Sequence, residues 1–252
     1  MIAVKDIQKS YGEKKVVDHV SVTLPEKKMI AFIGSNGAGK STLISIISRT
    51  LSKDGGEVYI DEKELGDWKT QVLAHKLSIL KQTNHLNIRL TVRELVEFGR
   101  FPYSKGNLKE EDHQKVDQAI GYMELQQLEN RYLDELSGGQ RQMAFIAMVI
   151  AQDTDYIFLD EPLNNLDMRH SVQIMKVLKR LVHEMGKTVM VVIHDINFVS
   201  CYADHIIAMK NGAMICQGET EEVIKEEVLR EIYGMDIAVQ TIDGKKICLY
   251  YQ

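Results

Sequence analysis

The segment Gly34-Ser35-Asn36-Gly37-Ala38-Gly39-Lys40-Ser41 constrains this chain more than any other stretch of it. Two glycines separated by four residues and followed by Lys and Ser let the backbone curl until successive amides point inward, a cradle for phosphate oxygens. A short apolar run over residues 29–33 precedes the loop and reads as a strand buried on both faces. A helical stretch begins near Lys40 and runs through Ile47, adding the partial positive charge of its N-terminus to the cradle. Ser35, Asn36, Gly37, Ala38, Gly39 and Thr42 are the expected phosphate-lining positions. Lys40 is expected to reach the β- and γ-phosphates, and Ser41 to ligate Mg²⁺. A plain glycine-rich turn is the bland alternative, and the strand before and helix after weigh against it.

The rest of the chain repeats the strand-then-helix rhythm. Residues 77–80, 156–159 and 188–193 are apolar runs, and helical patterns cover residues 91–98, 110–123, 137–151 and 171–185. Alternation of this kind predicts a parallel sheet wrapped by helices. Three runs end on polar residues. Gln82 follows the first, Asp160-Glu161-Pro162 the second and His194 the third. In a parallel sheet these ends and the phosphate loop share the carboxyl edge, where ligands of open α/β sheets bind. Asp160 is then a Mg²⁺ ligand and Glu161 the group that orients or deprotonates an attacking water. An acidic pair at a strand end is, by itself, more often a solvated boundary before a turn.

Residues 2–7 and 20–24 alternate apolar and polar positions, which predicts an antiparallel β region turning near Tyr11 and Gly12. The expected organisation is one domain over residues 1–252. Residues 1–83 and 155–252 would form the nucleotide-binding core and β region, and residues from about 84 to 154 an inserted helical subdomain. The tail beyond Gly218 reads as short helices and a terminal hairpin.

Composition removes several classes. A net charge of −5 and a pI near 5.9 argue against a nucleic-acid partner. No stretch approaches the roughly 18 consecutive apolar residues of a membrane span, and Lys5 and Asp6 interrupt any signal-peptide core at the N-terminus. Cys201, Cys216 and Cys248 are too widely spaced for a zinc set or a disulfide framework.

Leu136-Ser137-Gly138-Gly139-Gln140 decides between the remaining families. Ser137 with Gln140 reads as a helix capping box, but that leaves two consecutive glycines in the first turn unexplained. Bare amides there form a second anion site. The segment resembles the signature motif of ABC-transporter ATPases, and it stands upstream of Asp160 and Glu161 as in that family. The resemblance covers essentially the whole chain and implies a P-loop NTPase (RecA-like) core. It also implies that ATP with Mg²⁺ is bound between two cassettes paired head to tail. Ser137, Gly139 and Gln140 of one chain would then close on ATP held by the loop of the other. By the same resemblance Tyr11 stacks on adenine with Val16 beside it, Gln82 is the Q-loop glutamine and a Mg²⁺ ligand, Asp167 the D-loop aspartate and His194 the switch histidine.

Residues 99–103 and the sequences His194-Asp195-Ile196-Asn197 and Tyr202-Ala203-Asp204 resemble the branch serving iron–siderophore, haem and cobalamin importers, with Gram-positive siderophore importers the nearest likeness. Ser35, where proline is commoner, and Asn164-Asn165, where small residues are usual, depart from it. The implied partners are a second copy of this chain, integral membrane permease subunits and, through them, an extracellular or periplasmic solute-binding protein. The implied place is the cytoplasmic face of the plasma membrane, with no nucleic acid involved. Siderophore, haem and cobalamin all remain open as cargo. Soluble ABC ATPases of ribosomes or DNA repair fit less well, because one phosphate loop and one signature stand in the chain without sustained heptads. The stretch from Gln82 to Tyr103 is the expected permease-facing surface, with Arg100 and Tyr103 as candidate contacts.

Overall fold

A computed structural model describes residues 1–82 and 88–250. The expected start of the helical insertion at Asn84 lies outside the described residues. Along the chain, β1 (Ile2–Tyr11) and β2 (Lys14–Leu24) come first, then β3 (Met29–Ile33) and α1 (Lys40–Ile47). β4 (Gly55–Ile60), β5 (Lys63–Glu64), α2 (Thr70–Leu73) and β6 (Leu77–Leu80) follow. The helical stretch holds α3 (Val92–Phe98), α4 (Phe101–Ser104), α5 (Glu110–Tyr122) and α6 (Gly138–Ala151). β7 (Tyr156–Asp160), α7 (Met168–Met185), β8 (Thr188–Val192) and α8 (Ile196–Tyr202) restore the alternation. The chain finishes with β9 (His205–Lys210), β10 (Ala213–Glu219), α9 (Thr220–Val223), α10 (Glu226–Tyr233), β11 (Ala238–Ile242) and β12 (Lys245–Leu249). These residues group into two compact units: Met1–Trp68 with the chain from Thr188 onward, and Lys69–Lys187.

The first unit carries two sheets and a terminal hairpin. β1 and β2 pair antiparallel from Ile2 opposite Leu24 to Tyr11 opposite Lys14, and β4 and β5 extend them into the order β2-β1-β4-β5. Ile2 and Val4 point inward by alternation, and a register shift between Val4 and Ile7 buries Ile7 as well, while Lys5 and Asp6 are exposed. In the second sheet β3 lies between β8 and β9, parallel to both, with β10 antiparallel on β9. Neighbours on both sides and residues packed on both faces explain why β3 is apolar throughout and wholly buried. β11 and β12 form the expected terminal hairpin. It is pinned to α8 by the Asn197 amide, which accepts from the Cys248 N–H at 2.7 Å and donates to the Cys248 carbonyl at 3.2 Å.

In the second unit β6 and β7 pair in parallel, with Leu80 opposite Leu159, so both strands release the chain at the same end. α3, α5 and α6 pack on one another around Val92, Leu95, Val116, Ile120, Phe145 and Ile146, all buried. Local sequence sets the helix starts. Thr91 and Glu94 form a capping box on α3, and Ser137 and Gln140 do so on α6. Helix α7 begins at Met168, three residues before the predicted Ser171, because the Asp167 carboxylate accepts from the His170 N–H at 2.8 Å and caps the extra turn.

Arg100 departs from its expected role as a permease contact. Its side chain is 5% exposed and paired at 2.9 Å with an equally buried Asp112. Its guanidinium also donates to the Ala151 carbonyl at 2.9 Å and lies 4.0 Å over the Tyr103 ring, which stacks on His75. Arg100 therefore ties α4, α5 and the end of α6 together and is not a docking residue. Removing one partner of such a pair strands a buried charge. Arg100→Ala is expected to lower the unfolding free energy by about 3–5 kcal/mol, measured by urea denaturation. Asp112→Ala should do the same, and the double variant should lose less than the two single losses added together.

Candidate functional site

The first unit contributes a loop held by backbone contact. An ideal Cβ on Gly34 would lie 1.9 Å from the Met209 carbonyl oxygen, and one on Gly39 would lie 2.3 Å from the carbonyl oxygen of Val16. No side chain fits at either position, so β9 and β2 press the loop into its curl from behind. The β9–β10 turn adds to this brace, since the Gly212 N–H donates to the Ala38 carbonyl at 3.1 Å and its carbonyl accepts from the Asp18 N–H at 2.9 Å. Ser35, Asn36 and Gly37 are exposed at the loop tip, while Ala38, Gly39 and Lys40 are buried beneath. The Lys40 ammonium donates to the Gly34 and Ser35 carbonyls at 2.8 and 2.9 Å. Its charge is thereby fixed inside the cradle, with Ser41 and Thr42 in the next turn of α1.

The structure places the other expected residues of this unit as follows. Leaving β3 and β8, which are parallel neighbours with Phe32 opposite Val192, Gly34 and His194 emerge at the same sheet edge. His194 is exposed. Tyr11 ends β1 with 53% of its surface exposed and the Lys9 ammonium 5.8 Å from the centre of its ring. Val16 is half-buried. Tyr233, at the end of α10, is a residue the sequence reading missed. Burial pushes its phenol up to about 12, against the opposing effect of a hydrogen bond from the Gly34 backbone. The C-terminal segment thus touches the loop, a contact no local pattern announces.

The second unit brings its own residues together. Asp160 is buried at the end of β7, and Glu161 follows it with φ +51°, a left-handed conformation uncommon for glutamate. Gln82, just past the parallel neighbour β6, donates from Nε2 to Glu161 Oε2 at 2.6 Å. The Asn164 amide donates to the same oxygen. Asp167 accepts from the His170 backbone and holds the His170 ring at 2.8 Å, contacts that set its carboxyl below the usual range. That ring lies against α6, where a Cβ on Gly139 would meet His170 Cγ at 2.7 Å. Packing therefore accounts for Gly139. It does not account for Gly138, whose Cβ would meet nothing within 4 Å. Ser137 and Gly138 are exposed at the helix N-terminus, and Gln140 is half-buried behind them.

Two chemistries follow from these placements. The first unit holds curled amides, a helix N-terminus and a fixed cation, which bind polyphosphate. The second holds a buried and a tethered carboxylate at one strand end, which suit a metal contact and a general base. Comparison with known proteins fits both. The profile of the family described as ABC transporter matches residues 17–164. The petrobactin import ATP-binding protein YclP of Bacillus subtilis (strain 168) is 59% identical over 251 residues, covering 100% of each chain. The petrobactin import ATP-binding protein FatE of Bacillus anthracis is 46% identical over 239 residues, 95% of this chain and 96% of its own. Among solved structures, a dimeric bacterial ABC transporter cassette superposes with a TM-score of 0.79 at 32% identity, covering 87% of this chain and 99% of that one. The chain belongs to the ABC transporter family, as one of its ATP-binding cassettes.

The contrast between the two signature glycines is measurable. Gly139→Ala should destabilise the protein by about 1–3 kcal/mol through overpacking on His170, and adding His170→Ala should restore most of the loss. Gly138→Ala should leave stability unchanged or raise it by up to about 1 kcal/mol, as alanine does in a helix. Urea midpoints of the four proteins read all three effects.

Proposed function

We infer that this chain is the ATP-hydrolysing subunit of an importer of iron–siderophore complexes. The observation that carries the catalytic part is the phosphate loop wedged against two carbonyls with Lys40 locked inside it. Support for the cargo comes from the two relatives named for petrobactin import, matched over nearly their whole length. The working enzyme is proposed as a single domain over residues 1–252, in which residues from about 84 to 154 form a helical subdomain.

In this reading the amides of residues 35–39, Lys40 and Thr42 hold the phosphates, and Tyr11 with Val16 receives the adenine. Glu161 takes a proton from water as its oxygen attacks the γ-phosphorus, and the bond from that phosphorus to the β–γ bridging oxygen breaks. His194 and Lys40 offset charge on the departing γ-phosphoryl group, and Gln82 orients the water through its contact with Glu161. Mg²⁺ suits the donors present, since Ser41, Gln82 and Asp160 offer hydroxyl, amide and carboxylate oxygens. Among the described residues no group of three or more His, Cys, Asp or Glu could hold a metal, and the proposed donors include only one residue of those types, Asp160. When bound, it would neutralise charge on the β- and γ-phosphate oxygens.

Ser137, Gly139 and Gln140 are proposed to close on ATP in a second copy, with Asp167 at that junction. Gly138, whose Cβ would meet nothing within 4 Å among the described residues, supports an approaching ligand there. Among the described residues no helix is long and apolar enough to cross a membrane, so attachment to the cytoplasmic face is assigned to permease subunits. The surface proposed for them carries Phe98 and Phe101, 49% and 56% exposed, beside a pocket of about 290 Å³ also lined by Leu90, Glu94, Glu97 and Leu108.

Three measurements test this reading. Glu161→Gln should keep ATP affinity within about twofold by calorimetry while phosphate release falls by about 10²–10⁴, and a near-wild-type rate would refute the base. Lys40→Ala should instead lose affinity, as charge-assisted contacts to phosphate disappear. Cells lacking this chain should regain uptake of ⁵⁵Fe-loaded petrobactin with the wild type and not with Glu161→Gln.

A further inference from the structure

Glu161 is held more firmly than its position at the end of a strand requires. Its backbone sits at φ +51°, a conformation costly for a non-glycine residue, and Asn165 four residues on has φ +59°. The intervening turn closes through the Asn164 N–H, which donates to the Glu161 carbonyl at 3.3 Å. The Asn164 side chain then turns back and donates from Nδ2 to Glu161 Oε2, the oxygen that Gln82 Nε2 also reaches at 2.6 Å. A carboxylate accepts and does not donate, so both amides must present their nitrogens to it, which fixes their orientation. Residue 164 thus grips residue 161 twice, by main chain and by side chain, and an alanine at this position could supply only the first grip.

We propose that Asn164 is a positioning residue for Glu161: its side-chain amide, paired with that of Gln82, holds the carboxylate in the orientation from which it accepts the proton of the attacking water. The inference rests on the assignment of Glu161 as the base. Two donors on one oxygen restrict both rotation of the carboxylate and excursions of the side chain, and misplacement of a reacting group by about 1 Å can lower a rate about 10²-fold. Gln82 supplies one donor from the far side of the parallel strand pair. Asn164 supplies the other from the chain immediately after the base. The role proposed for this amide lies in orienting the base, so its loss is expected to fall on the chemical step.

The test is steady-state ATP hydrolysis by the full-length chain carrying Asn164→Ala, Asn164→Asp or Asn164→Ser. Asn164→Ala is expected to lower kcat about 10- to 100-fold with KM for ATP changed less than about twofold, since uniform binding is untouched. Asn164→Asp has the same shape without the donor, and should lose at least as much. Asn164→Ser keeps a short donor and should recover part of the rate. In the Glu161→Gln background Asn164→Ala should change the residual rate by less than about twofold, because a positioning residue has nothing left to position. A wild-type kcat in Asn164→Ala would overturn the proposal, as would a parallel rise in KM and fall in Tm, or a full further loss in the Glu161→Gln background. Should Glu161→Gln itself hydrolyse ATP normally, the assignment of the base fails. Should it be inactive while Asn164→Ala is normal, the positioning role alone fails.

Discussion

Two main-chain carbonyls, those of Met209 and Val16, stand where side chains of Gly34 and Gly39 would have to go. Much of the first unit serves this contact. β9 must lie parallel beside β3 to bring Met209 behind the loop, and β2 must cross at Val16 to back its other end. The tight turn between β9 and β10 ties both to the loop through the Ala38 carbonyl and the Asp18 amide. A polyphosphate site needs amides that are already aimed when the ligand arrives, because reorganising them afterwards would consume binding energy. Backbone wedged against backbone supplies that rigidity without any side chain that could relax.

The second unit uses a different device. Its strands β6 and β7 end together, and the Glu161 carboxylate just beyond them is held by the side-chain amides of Gln82 and Asn164. Asp167 performs two tasks at once, capping α7 and clamping His170, and the clamped ring in turn fills the space beside Gly139. One imidazole thus connects Asp167 to the first turn of α6, with no ligand needed between them.

The local signals in the sequence carried a large part of this. β3, α1, β6, α6 and the paired carboxylates were readable because buried strands are continuous apolar runs and helix starts carry capping residues. The first turn of α7 was not read, since it depends on the Asp167 cap within a segment that lacks apolar periodicity. β4, β9 and β10 escaped for a related reason: β4 opens on two glycines, and the other two follow a helix too short to frame them. Arg100 was misread because its burial depends on Asp112 and the Ala151 carbonyl, which only tertiary packing brings near. Asn164 stood out in the sequence as an unusual residue, but the contact of its amide with Glu161 is a feature of the folded turn that no local pattern announces. Sequence periodicity marks elements and their ends. Contacts between distant segments, which decide what a polar residue at those ends does, carry no local pattern.

The central claim is that one chain supplies half of each catalytic site, with Ser137 completing ATP bound to another copy. Sedimentation of the Glu161→Gln protein, with and without Mg–ATP and alongside a Glu161→Gln, Ser137→Arg double variant, tests it most directly. The account predicts a monomer without nucleotide, a dimer with Mg–ATP, and a double variant that still binds ATP but stays monomeric. A double variant that dimerises as readily as the single one would reduce Ser137 to the helix cap it forms on Gln140, and the two-chain site would be wrong.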